Sequence, residues 1–379
     1  MGMCMNDLKI TIAGAGIGGL AAATALARQG HRVRVAERAA EIKEVGAGIQ
    51  ISPNGMAVMR ALGLEDALAE VSIRAEAVRL IDGRTGREVV TLDLARDAAD
   101  LRWQFVHRAV LIEVLKVAAE DAGAEVVTGE EVAPPPAGDA LPGDDLLIGA
   151  DGLKSAVRAR VDEASKPFFT HQVAWRAVLE DQDVAPVVEV YMGPGRHLVT
   201  YPLPGGRRNI VAVEERCSWA DEGWSHVDHP ANLRGAFSGF APHVQDWLAK
   251  VEEVHLWGLF RHRIADRWHS GAQVVLGDAA HPTLPFLAQG ANLALEDAWV
   301  LAEALRNKPM TEALEHYQAE RKPRVARVVQ AATNNARNYH LKFPPLRFVA
   351  HSGLRVVGAL APARLVGRFD WLYRHDVTI

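Results

Sequence analysis

Ile12-Ala13-Gly14-Ala15-Gly16-Ile17-Gly18-Gly19, preceded by an apolar run at 10–12 and followed by a helix-like stretch at 20–28, decides the fold of this 379-residue chain. The Gly14-x-Gly16-x-x-Gly19 spacing suits a dinucleotide pyrophosphate. Gly14 allows the tight turn, Gly16 lets the backbone approach phosphate, and Gly19 lets the helix pack closely on the strand. The helix N-terminus is then aimed at negative charge. Chance alone gives roughly 0.2 such matches in a chain this rich in glycine, so the spacing needs its setting to count. The setting is present: a second strand at 32–36 ends in Glu37, 23 positions after Gly14, where an acidic side chain can hold a ribose hydroxyl pair. Strand, fingerprint, helix, strand and terminal Glu in that order predict a phosphate-binding βαβ unit.

The rest of the composition narrows the function. With 49% hydrophobic residues the chain can build a real core, and its length allows two domains or one large one. Lys+Arg 42 against Asp+Glu 47 gives a net charge of −5 without a long basic block, so nothing argues for nucleic acid. Cys4 and Cys217 are too few and too far apart for a disulfide framework or a metal knuckle, which points to a reducing, cytoplasmic setting. His226 and His229 lack metal-ligand partners at suitable spacing, and no metal is expected. The uncharged stretch 10–27 has the length of a membrane span, but its four glycines belong to the fingerprint, and no span is expected.

Further along, residues 45–54 read as a glycine-rich loop that brings backbone near a flat ligand, leading into a helix at 55–62. Residues 78–80 and 88–92 predict a β-hairpin, and 108–122 a helix with Val110, Leu111, Val114, Leu115 and Ala118 on one face. Residues 129–145 form a loop in which Pro134-Pro135-Pro136 excludes regular structure. A buried strand at 146–148 leads into Gly149-Ala150-Asp151-Gly152. From 173 to 213 short β-runs predict a second, sheet-based region. Helical pattern at 230–250 and a strand at 254–259 follow, and a strand at 273–276 returns the chain to the nucleotide unit. The last 85 residues are mainly helical, and the arginine-rich stretch 320–339 reads as a surface helix with solvated arginines.

Gly277-Asp278 falls at the carboxyl end of the 273–276 strand, where open α/β sheets place ligand-contacting groups; Asp278 is suited to accept hydrogen bonds from a sugar-alcohol chain. Pro285-Phe286-Leu287-Ala288-Gln289-Gly290-Ala291-Asn292 precedes a helix at 293–305. Gly290 and Ala291 leave that helix N-terminus open to an anion, such as the pyrimidine edge of a reduced flavin.

Taken in order, the three signatures around Gly14, Asp151 and Asp278, with Trp175-Arg176-Ala177 and Asp370-Trp371-Leu372-Tyr373, resemble the single-component FAD-dependent aromatic hydroxylases, the class A flavoprotein monooxygenases. The 285–292 segment is most similar to the salicylate hydroxylase-like branch, which includes hydroxybenzoate and hydroxynicotinate hydroxylases. The resemblance implies an α/β protein with the p-hydroxybenzoate hydroxylase-like fold. Its discontinuous, Rossmann-like FAD-binding domain would span 1–72, 98–172 and 265–330. A β-sheet substrate domain would span 73–97 and 173–264, and a helical C-terminal segment 331–379.

The resemblance also implies non-covalent FAD and a transiently docked NADH or NADPH, since no separate nicotinamide-binding βαβ unit is visible. Gly14, Gly16, Gly19 and Glu37 would hold the ADP half. Arg38 and Arg108 would lie along the phosphates and ribityl chain, with Gly277 and Asp278 at the ribityl hydroxyls. Asp151 matches the motif shared between FAD and the nicotinamide, and Gln289, Gly290, Ala291 and Asn292 would face the flavin ring. Two departures stand out: a short proline loop where relatives carry a longer β-meander, and Ala288 where many have Gly.

In such enzymes the reduced flavin and O2 form a C4a-hydroperoxide that attacks an electron-rich ring, so the protein must exclude water, position the ring and deprotonate a phenol. On the stretch 197–201, alternation puts His197 and Tyr201 on one face, about 13 Å apart by Cα rise. His197 is the candidate base and Tyr201 the candidate positioning residue; the alternative is a solvent-facing sheet histidine with Tyr201 in the core. Gln50 and Pro285 are candidate substrate contacts. Arg176 suits either a substrate carboxylate or a structural ion pair, and His281 is expected to be structural. The expected enzyme, a monomer or homodimer, hydroxylates a small phenolic or N-heteroaromatic acid. Two alternatives remain open: a hydroxylase or epoxidase of a larger polyketide or quinone-type precursor, and a non-catalytic flavin-binding redox sensor.

Overall fold

In the computed structural model, which describes residues 7–42, 48–162, 167–216 and 226–379, Lys9–Ala13 is an inner strand of a six-stranded sheet. Across the sheet the strands run His269–Ser270, Gln273–Val275, Leu146–Gly149, Lys9–Ala13, Arg32–Glu37 and Glu125–Thr128, parallel except for the first. Ile12 pairs with Val35 on one side and Ile148 on the other, all three fully buried, as strands covered on both faces require. From Lys9–Ala13 the chain moves to one neighbour, Arg32–Glu37, and returns later to the other, Leu146–Gly149. The carboxyl ends of Lys9–Ala13 and Leu146–Gly149 therefore flank a topological switch point, where an open sheet leaves a crevice.

The stretch of membrane-like length is this first strand, its turn and the helix Ile17–Arg28. Ile17 through Ala27 are all buried because the helix is enclosed by the sheet and by the helices Arg108–Asp121 and Gly290–Asn307. Its five alanines allow that close approach and favour helix at the same time. Among the described residues no helix is long and apolar enough to cross a membrane.

An eight-stranded sheet forms the second layer, in the order Val227–Asp228, Val254–Arg261, Phe168–Glu180, Arg207–Glu215, Arg196–Leu203, Val187–Gly193, Ala77–Asp82 and Glu88–Asp93. It is antiparallel except where Ala77–Asp82 meets Val187–Gly193. The expected hairpin is its final pair. The loop 129–145 holds no strand, only a bridge from Gly138 to Gly271.

Two expectations need correction. Of the loop proposed over 45–54, residues 45–47 lie outside the described residues, and Gly48–Ile51 is a strand paired antiparallel with Gln104–His107. Alternating Ile49 and Ile51 fit a sheet, and Gly48 is needed for close approach: a Cβ there would lie 2.8 Å from both the Tyr201 ring and the Asn209 side chain. The arginine-rich stretch lies in the helix Met310–Tyr339, but Arg321 is 1% exposed and Arg324 only 10%. Their neutralising carboxylates, Glu296 and Asp297, come from the neighbouring helix and are invisible to a local count of charge.

Candidate active site

The switch-point crevice opens into a cavity of about 630 Å³. Its walls come from the six-stranded sheet, the eight-stranded sheet and the C-terminal helices. At its phosphate end Gly14 has φ +104°, and a Cβ there would lie 2.5 Å from the Ala150 carbonyl oxygen. A Cβ on Gly19 would collide with the Gly14 carbonyl, which is how the helix packs on its own loop. Gly16 differs: nothing lies within 4 Å of its would-be Cβ, and it faces the cavity. Gly152 is equally open. The helix Ile17–Arg28 has neither a side-chain cap nor an acidic residue in its first turn, so its N–H groups are left for a ligand.

Glu37 closes the loop from below, its carboxylate accepting from Ala15 N–H at 3.0 Å and Ala39 N–H at 2.9 Å. Arg38, just beyond the strand, is exposed and outside the cavity lining. Asp151 Oδ2 accepts from Ala156 N–H at 2.7 Å, whereas Asp151 Oδ1 is buried with no hydrogen-bond partner. The open backbone cradle and the uncapped helix end fit a dinucleotide with a pyrophosphate.

Asp278 and Arg108 line the middle of the cavity. Asp278 is exposed at the cavity wall; enclosure by the surrounding protein pushes its carboxyl above the usual range, against the pull of His281, Arg108 and His262. Gly277 holds φ +58° and donates to Asp297 Oδ2 at 3.0 Å. His281 is buried and bonded through Nε2 to Asp297, so it belongs to the core.

At the far end, the helix Gly290–Asn307 begins without a side-chain cap or an acidic first turn, and Gly290 and Ala291 border the cavity. The side chains of Gln289 and Asn292 are turned inward. Gln289 bonds Asn54 and Ser52, each at 3.0 Å, and Asn292 bonds Ser52 N–H at 3.0 Å and the Gln50 carbonyl at 3.1 Å. What this segment offers a ligand is backbone. Ala288 sits in the left-handed region, φ +54°.

On the opposite wall His197, Val199 and Tyr201 face the cavity from one side of Arg196–Leu203, together with Pro285 and Gln50. His197 is 2% exposed, so it does not face solvent, whereas Tyr201 does lie in a core cluster, with Phe105, Met192 and Leu203, as that alternative had it. Burial holds its pKa well below the ordinary value. Its Nδ1 lies 2.6 Å from His340 Nε2, and His340 Nδ1 lies 2.9 Å from Glu215 Oε1. Tyr201 packs its ring on Phe105, centroids 5.1 Å apart, and burial pushes its hydroxyl pKa up. Gln50 Oε1 accepts from Trp103 Nε1 at 3.2 Å. Arg176 lines the cavity with its guanidinium 4.7 Å from the Trp257 ring centre.

Sequence reading did not find His340, Glu215, Tyr339 or Trp103. None lies in a motif, and each reaches the site through long-range packing. Among the described residues no cluster of His, Cys, Asp and Glu is arranged to hold a metal ion.

Comparison with known proteins agrees with this geometry. The family model described as "FAD binding domain" matches residues 7–139 and 144–332. The chain is 36% identical over 363 residues to 3-amino-4-hydroxybenzoate 2-monooxygenase of Streptomyces cremeus, covering 90% of each chain. It is 33% identical over 395 residues to 3-hydroxybenzoate 6-hydroxylase of Polaromonas naphthalenivorans, covering 98% of this chain and 97% of that one. A crystal structure of a variant of Klebsiella pneumoniae HpxO complexed with FAD superimposes with a TM-score of 0.81 at 28% identity, covering 95% of this chain and 98% of that one.

Proposed function

This chain belongs to the FAD binding domain family and is a flavoprotein monooxygenase, and from that premise we propose that it hydroxylates a small benzoate-type acid bearing a ring hydroxyl, with NADH or NADPH and O2 consumed. The observation that carries the reading is the single cavity in which the dinucleotide loop and Asp278 on one side meet His197 on the other.

Bound FAD would supply the redox equivalents and activate oxygen; the remaining work falls to this chain's own side chains and backbone. The Gly14–Gly19 loop and the N-terminus of Ile17–Arg28 would hold the pyrophosphate, Glu37 the adenosine ribose and Asp278 the ribityl hydroxyls, with Arg108 and Gly277 beside them and Asp151 behind the lining residues Ala150 and Gly152. Arg38, one residue beyond the strand that ends in Glu37 and exposed outside the cavity lining, is proposed on the phosphate side. The uncapped start of Gly290–Asn307 would stabilise negative charge on the ring's pyrimidine edge through the backbone of Gly290 and Ala291, with Gln289 and Asn292 fixing that backbone.

His197 takes the proton of the substrate hydroxyl. Its Nδ1 is engaged by His340, which leaves Nε2 for the cavity. Tyr201, Gln50 and Pro285 position the ring, while Val199, Val213 and Phe286 exclude water. In this reading 1–72, 98–172 and 265–330 form the cofactor side and 73–97 and 173–264 the substrate side. A cytoplasmic monomer or homodimer is proposed with it.

The deciding experiment measures NADH and NADPH oxidation in air by FAD-loaded protein against 3-hydroxybenzoate, 3-amino-4-hydroxybenzoate, salicylate and hydroxypyridine carboxylates, following H2O2 and product mass together. Stimulation with a product one oxygen heavier and little H2O2 is expected. H2O2 alone marks a pseudosubstrate, and silence across the panel transfers the proposal to a larger substrate.

A further inference from the structure

We propose that His340 and Glu215 form a proton path between the cavity and solvent, so that His197 is the inner end of a three-residue relay rather than an isolated base; this rests on the reading of His197 as the group that deprotonates the substrate.

The three side chains stand in line, with separations of 2.6 Å from His197 Nδ1 to His340 Nε2 and 2.9 Å from His340 Nδ1 to Glu215 Oε1. Both imidazoles are buried, at 2% and 4% exposure, and Glu215 is 30% exposed at the outer end. Lys342 Nζ lies 2.5 Å from the other Glu215 oxygen and is itself 68% exposed. The line therefore runs from cavity wall to surface. Among the described residues, the charged and titratable groups near it also include Arg196 on the same strand, Glu214 beside Glu215, Arg216, which is paired with Glu214, and Tyr339, whose ring centre is 5.2 Å from that of His197. Arg196 is engaged with Glu214, 3.3 Å away. Phe286 packs against His197, with ring centres 5.8 Å apart.

Glu215 sets the direction of the chain. Burial would raise its carboxyl, but hydrogen bonds from Lys342 and His340 outweigh burial and keep it a carboxylate. A carboxylate only accepts, so His340 must donate from Nδ1 and present a bare Nε2. His197 must then donate from Nδ1, which leaves its Nε2 bare toward the cavity, as a base requires. One surface carboxylate thus fixes two tautomers.

Electrostatics gives the relay its purpose. Burial makes an imidazolium at His197 unfavourable, and the neighbouring His340 adds to that, so a proton that stopped there would be held poorly. In the relay no imidazole acquires net charge. The substrate O–H bond breaks as His197 Nε2–H forms; His197 Nδ1–H breaks as His340 Nε2–H forms; His340 Nδ1–H breaks as Glu215 Oε1–H forms, and water takes the proton from Glu215. Run in reverse, the same steps return a proton to the product oxygen and restore both tautomers.

The test uses FAD-loaded enzyme with 3-hydroxybenzoate or 3-amino-4-hydroxybenzoate, whichever the parent turns over, comparing His340→Asn, Glu215→Gln, Glu215→Asp and His197→Ala. We expect His340→Asn and Glu215→Gln to lose at least tenfold in kcat at neutral pH with KM changed less than threefold. The lost rate should return as pH approaches the substrate's own phenol pKa, and Glu215→Asp should keep most of the activity. Near-UV difference spectra should show less bound phenolate in the two blocked variants. Parent-like kcat and pH profile in both, with His197→Ala inactive, overturns the relay alone; parent-like His197→Ala overturns the base assignment beneath it. Flavin absorbance and thermal melting check folding, and Glu215→Gln, at the half-exposed end, decides if His340→Asn loses its cofactor.

Discussion

At Ala288 an L-residue occupies φ +54°, a conformation that glycine adopts without cost. The strain there is about 1–2 kcal/mol, partly offset by the greater unfolded-state freedom that glycine would bring. Ala288→Gly should therefore leave the melting temperature unchanged or raise it by about 1–3 °C; a clear drop in differential scanning fluorimetry would show that the Ala288 methyl does more than its backbone costs. Gly16 and Gly19 separate cofactor binding from folding in a complementary way. Gly16→Ala meets no protein atom, so the apo protein should melt as the parent does while FAD affinity falls at least tenfold by flavin-fluorescence titration. Gly19→Ala forces a methyl into the Gly14 carbonyl and should lower both. The roles of these glycines were legible because the fingerprint is local, six residues long and framed by a strand and a helix. His340 and its contact with Glu215 were not: His340 lies 143 positions from His197 and 125 from Glu215, and no period or motif links residues that meet only through folding.

Among the elements, the pairing of Gly290–Asn307 with Met310–Tyr339 depends on a buried cluster of charges. Arg321 reaches Asp297 at 2.8 Å and Glu296 at 2.6 Å, and Arg324 holds Glu296 with two bonds of 2.7 Å. Burial alone would raise Asp297, yet His281 and Arg321 outweigh it and hold the carboxyl at about 2. Its folded-state pKa is thus depressed below the unfolded value. The stability it contributes is complete above about pH 4 and is lost as pH falls toward 2. Urea midpoints should be flat near neutrality and fall across that acid window; a midpoint unchanged down to pH 2 would deny the cluster this role. Arg321→Met removes the cation that two buried carboxylates share, leaving Glu296 to Arg324 and Asp297 to His281, and should cost about 3–5 kcal/mol, read from the same urea curves. The helices themselves were legible from their apolar spacing. Their charge was misread because arginines on one helix look solvated until the acidic face of the next is known, and that face lies 24 to 28 positions earlier in the chain.

For the molecule as a whole, sequence order separated a nucleotide unit from a sheet-based region, and the three signatures identified which ends of the first sheet would meet a ligand. How the layers join could not be read from the same patterns. The parallel pairing of Ala77–Asp82 with Val187–Gly193 and the placement of Tyr339, His351 and Leu354 on the cavity wall are long-range facts. They make the cavity a shared surface, with Gly16 and Asp278 from one sheet, His197 from the other and the C-terminal helices over both. A ligand that fills such a space binds only the assembled form, because the separate parts hold incomplete sites. FAD should then stabilise the folded state by mass action, about 2.7 kcal/mol when free FAD stands at a hundred times its dissociation constant. The melting temperature should rise steadily with FAD concentration, and signals from both layers should move together. Tryptophan fluorescence can follow the eight-stranded sheet through Trp175, and the first sheet's side through Trp268. Single-tryptophan variants that melt at one temperature with FAD and at two without it would show the cofactor acting as the joint. Shifts confined to the Trp268 side would mean that the layers hold together on their own contacts and that FAD only occupies the first.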